Sequence, residues 1–162
     1  MLTLRLTKLS NTHHRFAYVR GDGTGQQLDL DTRNFLAHDL IHFAVESEGR
    51  FNNSFYGLLD RGETYESLGD ADITSDTHPG GAEILMTERI VGAFTALAKG
   101  TATPAQVVAG IKNLLDAHEE SMPPWLTVEF AEQVAERLRR LQGQWKSIPF
   151  GETMELKFGA AP

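Results

Sequence analysis

Leu2-Thr3-Leu4-Arg5-Leu6-Thr7 alternates apolar and polar residues without a break. Successive side chains of a strand point to opposite faces, so this stretch reads as a strand with one buried face. The pattern returns from about His13 to Arg20, with Phe16 and Tyr18 on one face and Ala17 and Val19 on the other. Gly21-Asp22-Gly23-Thr24-Gly25 then supplies a turn, because glycine accepts the positive φ that tight turns demand, and Gln26 to Leu30 returns as a third strand. The start of the chain is an antiparallel meander. At the far end, Met154, Leu156 and Phe158 alternate with Glu155 and Lys157, which predicts a last strand joined to the same sheet.

Between these strands the apolar period changes to that of helices. Asp31 and Thr32 offer an N-cap for a helix over about Arg33 to Ser47, with Gly49 as its stop. Phe55 to Leu59 predicts one or two helical turns, and residues 67–81 read as a polar loop. Ile84, Val91, Phe94 and Ala98 form the apolar face of a helix over Ala82 to Lys99. Thr103-Pro104-Ala105-Gln106 matches a capping box with proline at the first helical position, opening a helix to about His118. Pro123-Pro124 interrupts the chain, and a final helix from about Thr127 carries the stripe Ala131, Val134, Leu138, Leu141 and Trp145. The expected fold is α+β: a small antiparallel sheet, an N-terminal meander plus a C-terminal strand, packed by four or five helices in a single domain over residues 1–162.

Composition narrows the function classes. The chain has 162 residues, 41% hydrophobic and 23% charged, and no cysteine, so thiolate metal sites, disulfides and a cysteine nucleophile are excluded. A net charge of −7 without a strong Lys/Arg cluster argues against nucleic acid as a partner. No stretch has the continuous apolar run of a signal peptide or a membrane span, so no membrane partner is expected and a cytoplasmic protein is. No Gly-x-Ser-x-Gly elbow supports serine hydrolysis.

The sharpest chemical signal is His38-Asp39-Leu40-Ile41-His42. Two histidines four residues apart project from one helix face on consecutive turns and can converge on one divalent ion, zinc among them. Leu36, Leu40, Ile41, Phe43, Ala44 and Val45 cover most of the rest of this helix, so His38, His42 and Glu46 line a stripe within or beside the core. Buried imidazole and carboxylate demand partners. A metal meets that demand; so does a hydrogen-bonded network among His38, Asp39, His42 and Glu46; metal-free acid–base chemistry is a third account. An open zinc site needs a third protein ligand. Glu46 lies about 12 Å along the axis from His38 and suits an outer role better. Glu83 and Glu88 on the later helix, and His14 on a strand, are the other candidates, and His78, before Pro79-Gly80-Gly81, sits in a loop able to close over a site.

This segment resembles the His-Glu-x-x-His motif of zinc metallopeptidases over five residues. The resemblance implies that His38 and His42 bind zinc and that Asp39 serves as general base or orients the activated water. Asp39 is one methylene shorter than the glutamate of that motif, and the extended pattern fails at Val45 and Glu48. The leading expectation is therefore a divalent-metal-binding protein, a zinc-dependent hydrolase in its sharpest form. The alternative is a non-enzymatic interaction domain whose histidine stripe organises the core. Lesser features have plain readings: Asp70–Asp76 as a solvated loop in place of a calcium loop, the glycine-rich turn as a hairpin without the phosphate-loop lysine, His13-His14 on an exposed strand, Trp145 as core, and Trp125 as a loop anchor.

Overall fold

The computed structural model describes residues 1–75 and 77–159. Three strands, β1 (Leu2–Lys8), β2 (His13–Val19) and β3 (Gly25–Asp31), form the meander, and β4 (Thr153–Phe158) returns at the end of the chain. All pairs are antiparallel and the order is β3-β2-β1-β4, so the two terminal strands of the chain lie side by side, with Leu4 opposite Leu156. The alternation works as the sequence predicts. Leu2, Leu4, Leu6, Phe16, Tyr18, Met154, Leu156 and Phe158 are buried on one face. The other face stays solvated and carries the cross-strand pairs Arg5–Glu155 and Arg15–Asp29.

Among the described residues six helices cover the buried face: α1 (Ala37–Gly49), α2 (Phe55–Asp60), α3 (Tyr65–Asp70), α4 (Gly81–Ala98), α5 (Pro104–Ala117) and α6 (Val128–Ser147). The expected caps are present. Thr103 and Gln106 close a capping box on α5, and Thr127 accepts from the Phe130 N–H at the start of α6. None of these helices is long and apolar enough to cross a membrane.

Two local expectations need correction. The helix expected from Arg33 begins instead with a π turn over Thr32–Leu36, capped by Asp31, before α1 proper. It stops at Gly49 as expected, but the left-handed residue of the cap is Arg50 at φ +53°, and the Phe51 ring packs where a Cβ on Gly49 would stand. Part of the expected 67–81 loop is α3, a short helix held by a capping box between Thr64 and Ser67 and by burial of Leu68. In the remaining loop Asp72 accepts from the N–H and hydroxyl of Thr74, a local turn; Asp76 lies outside the described residues.

α1 is the central helix. It packs against α4 and α6, and Asp39 through Glu46 are buried without exception. Each fully buried large side chain, such as Ile41 or Phe43, contributes roughly 1.5–3 kcal/mol of apolar transfer. Arg20, at the end of β2, donates to the carbonyls of Leu59 and Glu63 at 2.6 Å each. That clamp holds α2 and the start of α3 against the sheet, and so delivers Phe55, Tyr56 and Tyr65 to the N-terminal half of α1.

Candidate metal centre

Consecutive turns of α1 stack the rings of His38 and His42, with centroids 4.6 Å apart. α4 faces them with Glu88. One carboxylate oxygen is 3.0 Å from His42 Nε2 and the other is 3.8 Å from His38 Nε2. One donor atom from each of His38, His42 and Glu88 fits within a 4.8 Å group that can hold a metal ion. Donors around one zinc at ~2.0–2.2 Å stand about 3.3–3.6 Å apart, so the group must close by roughly an ångström. His38 is half-exposed and free to make that adjustment, while His42 is enclosed.

The surroundings fix His42 from behind. Its Nδ1 lies 2.9 Å from Glu46, whose other oxygen accepts the Tyr56 N–H at 2.9 Å. Glu46 is thus clamped between a ring of its own helix and the first turn of α2. Gly57 lets the preceding loop fold tightly onto α2: a Cβ there would stand 2.3 Å from the Asn52 carbonyl oxygen. Phe55 packs its ring 5.6 Å from His42. His42 Nε2 makes no well-formed hydrogen bond among the described residues; its charged neighbour there is the Glu88 oxygen at 3.0 Å.

Asp39 is on the other side of the pair. Its carboxylate is 3.9 Å from His38 Nδ1, the nitrogen turned away from Glu88, and accepts from the Tyr65 hydroxyl at 3.5 Å. The Tyr56 hydroxyl donates to its backbone carbonyl at 2.9 Å. Each histidine therefore has Glu88 at Nε2 and a carboxylate of its own helix beside Nδ1.

The electrostatics follow from this layout. Burial alone would strip His42 of its proton, but Glu46 and Glu88 on its two nitrogens outweigh burial and push it up to about 10. Burial raises Glu88, yet the two imidazoles more than reverse this and hold it down to about 2. Asp39 and Glu88 raise His38, and burial raises Glu46 against the pull of His42 and the Tyr56 N–H. The site strongly favours positive charge between its carboxylates, as proton or as metal.

Of the remaining candidates, Glu83 accepts from the Asn53 N–H and the Ser54 hydroxyl and anchors the loop before α2 instead of joining the group. His14 is not on an exposed strand position. It is fully buried, 3.1 Å from the Thr32 hydroxyl and edge-on to Trp145, and burial lowers its pKa. His78 is buried and accepts the Gly80 N–H, so it is a turn element and no flap. Tyr56 and Tyr65 escaped sequence reasoning altogether, since only the fold brings them to α1. Comparisons with protein-family models, curated proteins and solved structures find no match to this chain.

Proposed function

We propose that the protein binds a divalent metal ion through His38, His42 and Glu88, and that this centre serves metal-dependent hydrolysis. The observation that carries the reading is His42 Nε2: buried, without a well-formed hydrogen bond among the described residues, and 3.0 Å from a Glu88 oxygen. An imidazole whose far nitrogen is held by a carboxylate presents the near one as a ligand, the outer arrangement that metal-bound histidines adopt. Two histidines and one carboxylate leave coordination positions open, a donor set used by zinc and by other first-row metals. An ion held there supplies a Lewis acid and a bound water of lowered pKa. Asp39, beside the rear nitrogen of His38, suits an orienting role better than that of the base. The acidic balance of the chain favours a small-molecule or protein partner over nucleic acid.

One observation favours a rival: a protonated His42 set against an ionised Glu88 satisfies the same groups without metal, as in an interaction domain with a polar core. Metal content of protein purified without a polyhistidine tag separates the two. The metal reading expects near-stoichiometric ion, lost in both His42→Ala and Glu88→Gln, and a folded protein stabilised by added zinc by about 2.7 kcal/mol at a hundred times the dissociation constant. Metal-free protein that gains nothing from added zinc, manganese or iron(II) sinks it.

A further inference from the structure

The edge strand β4 carries the marks of a self-complementary interface. Its partner in the sheet is β1 alone, and among the described residues its outward backbone groups make no backbone hydrogen bond. A free edge of this kind is a template for another strand unless charge, proline or a bulge blunts it. β4 contains no proline and alternates regularly from Thr153 to Phe158, and its two charges, Glu155 and Lys157, are opposite in sign, so a second copy of the strand can neutralise them where another charged edge would be repelled.

We infer that two copies of this chain pair through β4 in antiparallel fashion about a two-fold axis at Leu156, joining two four-stranded sheets into one. That register places Glu155 opposite Lys157 of the partner subunit and Lys157 opposite the partner's Glu155. Both pairs lie on the solvated face. Leu156 meets the partner's Leu156, and Met154 meets the partner's Phe158, so the buried face of one sheet continues into the other. Lys157 is opposite Thr3 within its own sheet and has no carboxylate partner among the described residues, which leaves it available.

The edge is open to an approaching strand. Between β4 and α6 runs a cleft of about 330 Å³ whose lining mixes Phe43, Leu141 and Leu156 with Arg137, Arg140 and Lys157, so no element covers that side of the edge. Met154, Leu156 and Phe158 are already buried in their own core, so the pairing rests on the strand edges and the charge pairs. The opposite edge does not offer this. β3 reads Gly25-Gln26-Gln27-Leu28-Asp29-Leu30-Asp31 and has acidic residues but no basic one, so antiparallel self-pairing there gains no charge pair. A closed two-fold contact at one edge leaves that second edge blunted by its aspartates, which limits assembly to a dimer.

Sedimentation and light scattering from about 1 µM to roughly 1 mM test the inference, a range that spans the affinities of small interfaces. Wild type should dimerise. Lys157→Glu and Glu155→Lys should each weaken the dimer about tenfold or more, because each turns two attractive cross-strand pairs into two repulsive ones. An equimolar mixture of the two variants should recover a dimer of one copy of each, since both pairs are again of opposite sign. Circular dichroism controls for folding, and the mixture is read even if one variant alone is less stable. Wild type that stays monomeric throughout, including a chain whose β4 takes up some other extended segment, overturns the inference. So does a dimer that both variants retain, or a mixture that fails to restore it.

Discussion

α1 and α6 are packed against each other and solve burial in opposite ways. α6 turns Phe130, Ala131, Val134, Leu138 and Leu141 inward and leaves most of its charges in water. α1 is buried over eight successive residues, and three of those, Asp39, His42 and Glu46, are ionisable. Apolar transfer accounts for the inward face of α6 completely. It does not account for α1, where leucine at those three positions would bury as well without the desolvation of charge. The difference separates a helix kept for packing from a helix kept for what its polar groups hold, and it can be attacked experimentally.

The strongest attack is Glu46→Ala. This removes the acceptor of both His42 Nδ1 and the Tyr56 N–H in a fully enclosed setting. Breaking one partner of a buried pair costs about 3–5 kcal/mol. Urea denaturation of chelator-treated protein should show a loss of that size, and metal affinity should fall as well, by roughly 10–100-fold. A loss below about 1 kcal/mol would mean that the polar groups of α1 are loosely held and that the contrast with α6 is superficial.

A middle-sized effect is expected at the helix entries. Thr127 caps α6 directly, whereas α1 has no side-chain cap of its own and is entered through the π turn that Asp31 caps. Thr127→Ala and Asp31→Ala should each cost about 1 kcal/mol, because each leaves one N–H at a helix start without its acceptor. The sharper readout is zinc affinity. Asp31 caps the helical run that leads into α1, seven residues before His38, so its replacement should weaken metal binding, and replacement of Thr127 should not.

Most of the packing half of this comparison was legible in the sequence. The strand alternation at Leu2–Leu6, Phe16–Tyr18 and Met154–Phe158 and the stripe of α6 are local patterns, and burial reads directly from them. The site was legible only in part. His38 and His42 announce themselves by spacing. The third member had no local signal of its own: Glu83 and Glu88 both flank the apolar face of α4, at i+4 to Thr87 and i+4 from Ile84, and only the packing of α4 on α1 brings Glu88 to the histidines. His14 shares a strand face with Phe16 and Tyr18, so the same alternation that found the core already implied its burial. Glu46 meeting the first turn of α2, and Tyr65 meeting Asp39, depend on contacts 10 and 26 residues apart that no local pattern encodes. α3 was missed because a short polar helix held by its cap has no apolar period to read.

The smallest effects should come from the charges of α6, and they differ by where the partner lies. Arg137 reaches Glu48 of α1 at 2.5 Å and is about two-thirds buried. It ties the two helices together, so Arg137→Ala should cost up to about 1 kcal/mol after allowance for solvent screening. Arg139 pairs with Glu136 one turn earlier on its own helix, and both are largely exposed. Nothing is desolvated when that pair forms and two long side chains are restrained by it, so Arg139→Ala should leave the urea midpoint where it was. If instead the midpoint drops measurably at Arg139 and not at Arg137, the outward face of α6 is engaged with something in solution. The helix assigned to packing alone would then also be a surface with a partner.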